Sequence, residues 1–415
     1  MIVWCPAFTG SAGCPAPCVT GPAIMLRRNM FKLSKKLQEL PPYLFLEIDE
    51  AKRKAKAEGR DIIDLGVGDP DLPTPNHIIE ALYQAALDPS NHRYALDQGM
   101  PVLRRAIAGW YKRRFDVELN PDTEILPLIG SKEGIAHLPL AFLNQGDYSL
   151  VPDPCYPPYK GGTILAGGKP YLMPLLECNE FLPDLKKIPQ SIRKKSRIMF
   201  INYPNNPTSA TAERAFYLDA VNFAAKNKII IASDLAYSEM SYDGYRPSSA
   251  LEVTGARESV IEFHSLSKTY NMTGWRIGWA CGNEKLIAAL AKAKSNIDSG
   301  IFSAIQLAGV AALEGPEEHI KNMCQTYSQR RDVLLSGLRL CGLTARNPKA
   351  TFYVWIKVPK KYNSIKFAAL ILEKADIVAT PGVGFGKYGE GFVRMALTVS
   401  KERIQQAVER LKKIS

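Results

Sequence analysis

In the stretch His264-Ser-Leu-Ser-Lys-Thr-Tyr-Asn-Met-Thr-Gly-Trp-Arg276 one amine stands among hydroxyls and ahead of a guanidinium. Lys268 follows Ser265 by three residues and Ser267 by one, and precedes Arg276 by eight. An amine can form a Schiff base with a carbonyl compound, while hydroxyls and a guanidinium can take a phosphate. Those are the requirements for holding pyridoxal phosphate. The apolar run Val260-Ile-Glu-Phe263 just before it reads as a buried strand that ends at the hydroxyls. A lone Ser-x-Ser-Lys is weak evidence, because most lysines are solvated surface charges. The weight falls on what the rest of the chain supplies.

Three other segments could complete such a site. Gly130-Ser-Lys-Glu-Gly134 lies between a strand-like run and a helix-like one. Free N–H groups at a helix start, with the Ser131 hydroxyl and the Lys132 charge, would suit a phosphate. Alone it is an ordinary turn and cap, and the lysine is not placed as in a Walker loop. Tyr203-Pro-Asn-Asn-Pro-Thr208 alone is turn chemistry. Asp234-Leu-Ala-Tyr237 comes one helix and one strand later. Asp234 follows the apolar run Ile229 to Ala232, which puts its carboxylate at a carboxyl strand edge, where open α/β sheets place ligands. There it could ion-pair with a protonated pyridine nitrogen and make the ring an electron sink, with Tyr237 donating to the phenolic oxygen. Taken by themselves, these two residues read more simply as a helix cap and a packed tyrosine.

The elements that must position these residues alternate along the chain, the pattern of an α/β protein with a largely parallel sheet. Leu103, Ile107, Trp110 and Tyr111 share one helical face behind Pro101. Short apolar runs follow at Glu124 to Ile129, Tyr148 to Val151, Ile198 to Ile201, Ile229 to Ala232 and Val260 to Phe263, with a helical pattern from Ala212 to Lys228. Beyond about Ile301 the texture becomes one long helix, then the run Thr351 to Val358 and a last helix. Ser400 caps that helix, with Ile404, Ala407, Val408 and Leu411 on one face. The expected organisation is a tail (1–38), an N-terminal part of a small domain (39–75), a large domain (76–305) and the remainder of the small domain (306–415).

At 415 residues, 46% hydrophobic and 23% charged, the chain suits a globular protein of more than one domain. Its net charge of +12 is spread among acids and small residues, and no basic stripe is interleaved with aromatics, which argues against a nucleic-acid partner. No apolar run approaches membrane-spanning length. Residues 1–38 contain no Asp or Glu and three of the eight cysteines, Cys5, Cys14 and Cys18. This loosely fits an organelle transit peptide, and translation from Met25 or Met30 fits as well. Secretion is disfavoured, because Arg27 and Arg28 follow the mildly apolar part. A metal site is not expected, since Cys14-x-x-x-Cys18 has no second ligand pair nearby. The scattered remaining cysteines fit reduced thiols in a cytoplasmic protein.

In order, Gly-Ser-Lys, Asn-Asn-Pro-Thr, Asp-x-x-Tyr, Ser-x-Ser-Lys, Arg276 and the late Phe392-Val-Arg394-Met395 resemble the fold-type I pyridoxal phosphate enzymes of the aspartate aminotransferase superfamily. The resemblance covers roughly residues 40 to 415. It implies a large domain whose mostly parallel sheet is covered by helices, and a smaller α+β domain built from both chain ends. It implies Lys268 as the Schiff-base lysine and proton shuttle, Asp234 as the pyridine-nitrogen partner, and Tyr237 and Asn206 as donors to the phenolic oxygen. Tyr156 would stack on the ring, and Ser131, Lys132, Ser265, Ser267 and Arg276 would hold the phosphate. Arg394, with Asn206 and the Gly68 backbone, would grip the substrate α-carboxylate. Tyr94 would reach the phosphate from a neighbouring copy, which implies a homodimer with shared sites.

Three phrases carry a closer resemblance to the LL-diaminopimelate aminotransferases, which aminate tetrahydrodipicolinate in lysine biosynthesis: Phe263 to Gly278, Lys294-Ser-Asn-Ile-Asp-Ser-Gly-Ile-Phe302 and Pro381-Gly-Val-Gly-Phe-Gly-Lys-Tyr-Gly-Glu-Gly391. That resemblance implies Asp97, three residues after Tyr94, as the acid facing the substrate's distal ammonium from the partner. Asp stands there in place of a longer Glu, so a bridging water is one way to span the distance. Tyr43 and Asn296 are further candidates for lining the substrate, Asn296 equally as a helix cap. The alternatives are an aspartate, alanine or aromatic aminotransferase, a carbon–sulfur β-lyase, or a regulator that senses the cofactor, for which the tail is too short a DNA-binding module.

Overall fold

The structure, a computed structural model, describes residues 31–40, 44–95 and 98–414. Its centre is a seven-stranded sheet in the order Ile125–Leu128, Gly278–Gly282, Val260–Ser265, Ile230–Asp234, Ser196–Asn202, Tyr148–Asp153 and Lys169–Pro174. Gly278–Gly282 runs antiparallel to both neighbours; the other strands share one direction. Val260–Ser265 is buried along its whole length, and Ser196–Asn202 and Tyr148–Asp153 are buried but for Arg197 and Tyr148, as apolar runs covered on both faces should be. The five runs expected between Glu124 and Phe263 all lie in this sheet.

Two of its strands were not anticipated. Lys169–Pro174 holds two prolines and is half-exposed, which suits a sheet edge, where a missing N–H costs little. Gly278–Gly282 starts and ends on glycine, a poor strand signal, yet the sheet demands it. A Cβ at Gly278 would stand 2.6 Å from the His264 carbonyl oxygen.

The helix Pro101–Phe115 buries Leu103, Ile107, Trp110 and Tyr111, as the spacing requires. The single long helix expected after Ile301 is two helices, Ser303–Glu314 and Glu318–Leu340. Gly315-Pro316 separates them, because proline lacks an N–H and disfavours helical backbone in the residue before it.

A second core joins both ends of the chain. Thr380–Pro381, Phe392–Ala396 and Tyr353–Lys357 form an antiparallel sheet, and Ile63–Asp64 pairs in parallel with Ile377–Val378. The last helix, Lys401–Leu411, buries Ile404, Ala407, Val408 and Leu411 here, and the Ser400 hydroxyl caps it by accepting from the Arg403 N–H. Ala236, Tyr237, Met240 and Tyr242 belong to this second core, although they follow a strand of the large sheet. The segment after Asp234 is therefore where the two cores meet. Among the described residues, no helix is long and apolar enough to cross a membrane.

Candidate active site

A cavity of about 220 Å³ opens where the carboxyl ends of the parallel strands meet the second core. Ser131, Lys132, Tyr156, Asn206, Asp234, Tyr237, Ser265, Ser267, Lys268, Arg276 and Gly68, all expected from the sequence, line it. Asp69, Asn202, Ala236, Thr273 and Tyr353, which were not expected, line it too. A wider groove of about 870 Å³, lined by Arg193, Phe216, Asp219, Phe223 and Arg346 among others, holds none of the expected residues. Volume does not choose between them. Convergent polar groups with perturbed protonation do.

Lys268 sits in the short helix Leu266–Thr269, directly after the Val260–Ser265 strand, and its Nζ donates to the Gly68 carbonyl at 3.1 Å. Burial lowers its pKa to about 8; Asp69 opposes this, and Arg394 and Arg276 add to it. A measurable share of the amine is thus neutral and nucleophilic near neutral pH.

Asp234 ends the Ile230–Asp234 strand and is buried. Burial raises its pKa to about 6, opposed by the hydrogen bond from the Tyr159 hydroxyl and, more weakly, by the nearby Ala236 N–H. Tyr159 donates to Oδ2 at 2.6 Å, whereas Oδ1 is buried with no hydrogen-bond partner among the described residues. A buried carboxylate oxygen left unpaired costs roughly 1–3 kcal/mol or more, so a cationic N–H in the cavity would fit here.

The opposite end of the cavity is cationic. Ser131 opens the helix Ser131–Phe142 behind Gly130, whose φ of +76° suits glycine. A Cβ on Gly130 would lie 2.2 Å from Arg276 Nη2, so the missing side chain makes room for the guanidinium. Arg276 is held from Nη1 by the Thr273 carbonyl at 2.9 Å. With Lys132, Ser265 and Ser267 beside it and a helix N-terminus facing the same space, this end suits a phosphate.

Arg394 is buried and spans the junction of the two cores. Its Nη1 donates to Asn206 Oδ1 at 2.8 Å and Nη2 to the Gly66 carbonyl at 2.7 Å. The guanidinium lies over the Tyr353 ring at 4.1 Å and the Phe385 ring at 4.6 Å. Asn202 Oδ1 accepts from the Asn206 N–H, and Asn202 Nδ2 donates to the Asp234 carbonyl, so one polar chain runs from Asp234 to Arg394.

Arg394 is not among the lining residues but is bonded to one of them, Asn206, whereas two expected residues stand apart from the cavity. Tyr94 is 91% exposed. Asn296 donates from Nδ2 to the Lys292 carbonyl and closes the end of the helix Glu284–Lys294, the cap role. Tyr43 and Asp97 lie outside the described residues. Of the residues missed, Asn202 had a readable signal, since it ends an apolar run just as Asp234 nearly does. Tyr159 and Tyr353 had none, because their partners come from strands far away in sequence.

A scaffold of this topology, with an amine, a carboxylate and a phosphate cradle in one cavity and a guanidinium bonded to its lining, belongs to amino-group transfer. Residues 60–411 match the sequence pattern of the aminotransferase class I and II family, and the chain belongs to that family. It is an aminotransferase. The LL-diaminopimelate aminotransferase of Syntrophobacter fumaroxidans is 55% identical over 93% of this chain and 99% of its own length. That of Aquifex aeolicus is 53% identical over 93% and 100%. Among solved structures, substrate-bound BacF from Bacillus subtilis superposes with a TM-score of 0.89 at 40% identity, over 93% of this chain and 98% of its own.

Proposed function

We propose that this aminotransferase holds pyridoxal phosphate in the cavity and transfers the amino group of glutamate to tetrahydrodipicolinate, giving LL-diaminopimelate. The observation that carries the cofactor is the unpartnered Asp234 Oδ1, which lines the same 220 Å³ space as the Lys268 amine and the Gly130–Arg276 turn. The substrate rests on relatives of that name, 53–55% identical over nearly their whole length. Bound there, the cofactor would supply an electron sink that acidifies the substrate α-proton, and a carrier for the amino group between half-reactions.

The chain's own residues do the rest. Lys268, with its lowered pKa, would hold the cofactor through its carbonyl carbon, and its amine would take and return the substrate α-proton. Asp234 would pair with the ring nitrogen, Tyr237 and Asn206 would hold the phenolic oxygen, and Tyr156 would cover the ring face. Ser131, Lys132, Ser265, Ser267 and Arg276 would hold the phosphate. Arg394 binds the α-carboxylate through parallel hydrogen bonds, and its fixed contacts to Asn206 and Gly66 orient it in advance.

The same reading makes the enzyme a homodimer. Tyr94 is too exposed to serve its own cavity, and Ile297 and Phe302 are exposed apolar residues in the segment after the helix Glu284–Lys294. A second copy seated there would bring its Tyr94 to the phosphate and its Asp97 to the distal end of the substrate.

Purified holoenzyme incubated with 2-oxoglutarate and LL-diaminopimelate, aspartate, alanine or phenylalanine in turn tests this. Glutamate should form quickly from LL-diaminopimelate alone. Comparable rates from another donor would overturn the substrate and leave amino transfer standing.

A further inference from the structure

We infer that Tyr353 is a positioning residue that couples occupancy of the Arg394 clamp to the hydrogen bond Tyr237 offers the cofactor. This rests on the cofactor reading above. Tyr353 opens the strand Tyr353–Lys357, is buried, and lines the cavity from the second core. Its ring lies under the Arg394 guanidinium at 4.1 Å, and its hydroxyl is 3.2 Å from the Tyr237 hydroxyl. It touches both the carboxylate clamp and the phenolic-oxygen donor.

The ring has little freedom to leave that position. Its backbone N–H donates to Thr351 Oγ1 at 3.1 Å, and its carbonyl accepts from Ser209 Oγ at 2.7 Å. A Cβ on Gly68 would stand 2.0 Å from the Tyr353 hydroxyl oxygen, so the hydroxyl rests against the Gly68 backbone. The Gly68 carbonyl in turn accepts from Lys268. Among the described residues, the other charged or titratable groups lining this space are Asp69, Asp234, Tyr156, Lys132 and Arg276.

Only one proton can lie between the two hydroxyls. If Tyr237 donates to Tyr353, it has none left for the cofactor. If Tyr353 donates to Tyr237, the Tyr237 O–H turns toward the phenolic oxygen. A cation over the face of a phenol draws density from the ring and makes its O–H a better donor. The Arg394 charge therefore selects the second arrangement when no carboxylate is bound. A substrate carboxylate on Arg394 offsets that charge, weakens the Tyr353 donor, and loosens the hold of Tyr237 on the phenolic oxygen. The proton affinity of the Lys268–cofactor linkage should rise as the clamp fills.

The test is the pH titration of the holoenzyme's visible absorbance, with and without succinate, an unreactive dicarboxylate. Wild type, Tyr353→Phe and Tyr353→Leu are compared. Tyr353→Phe keeps the ring and should bind succinate within about threefold of wild type. Its succinate-free titration should move up by about half a unit, roughly threefold in proton affinity, and its response to succinate should shrink. Tyr353→Leu should also weaken succinate binding by about tenfold, through the lost cation–π contact. A Tyr353→Phe titration matching wild type in both states would overturn this inference alone. Persistence of the pH-sensitive absorbance in Lys268→Ala would overturn the cofactor reading, and this inference with it.

Discussion

The two walls of the cavity are built differently. On the sheet side, Asp234 and Ser265 are the last residues of parallel strands, and Lys268 lies one helical turn beyond. Backbone ladders hold them, and buried strands on both flanks leave them little room to move. On the other side, Gly68 comes from near the start of the chain and Tyr353 and Arg394 from two paired strands near its end, and the three meet through side-chain contacts. The rigid wall carries the groups that every amino transfer needs. The assembled wall carries the groups that must recognise a substrate and respond to it, and there binding energy can be used selectively.

The largest blow to this comparison falls on the rigid wall. Lys268→Ala should lower glutamate formation from LL-diaminopimelate by at least about 10⁴-fold, since it removes both the covalent anchor and the proton shuttle. Turnover within tenfold of wild type would remove Lys268 from the chemistry.

A smaller effect tests Asp234 in the absence of cofactor. Its folded-state pKa, raised to about 6 from the usual 3.8, favours the protonated form in the native state. That contribution is complete below about pH 4 and is lost as pH rises through about 6. Cofactor-free protein should therefore lose stability relative to Asp234→Asn across that window, by up to about 3 kcal/mol. Urea unfolding at fixed protein concentration measures it. Adding pyridoxal phosphate should cancel the loss, because the ring nitrogen would pair with the ionised carboxylate. Parallel pH profiles for the two proteins would show that Oδ1 is already satisfied.

The smallest effect belongs to the assembled wall. Arg394→Lys keeps the charge but loses the fork that donates to Asn206 and Gly66 at once. KM for the amino donor should rise about tenfold or more, worth about 1.5–3 kcal/mol, with a lesser change in kcat. A fall in kcat at unchanged KM would place Arg394 with the rigid wall and dissolve the distinction.

Much of the fold was legible because its signals are local. Continuous apolar runs became buried strands, and the spacing of Leu103, Ile107, Trp110 and Tyr111 became a buried helix face. Where local signals were weak, the pattern misled. The antiparallel Gly278–Gly282 strand carries glycines at both ends, and the apparent helix after Ile301 breaks at Gly315-Pro316. The site divides the same way. Lys268, Asp234, Ser131 and Arg276 stand beside strand ends and could be found by position, whereas Tyr159 and Tyr353 could not.

The sequence by itself determined the chemical inventory: an amine among hydroxyls, a carboxylate after an apolar run, a glycine turn before a helix, and a late arginine. These follow from residue type and short spacing, which no packing alters. Tertiary structure decided who meets whom. Strand order and register put Tyr159 on one oxygen of Asp234 and left the other open, and the second core slid the Tyr353 ring under Arg394 with its hydroxyl against Tyr237. Such pairings span tens to hundreds of residues and are set by the packing of whole sheets and helices, so no short window of sequence contains them.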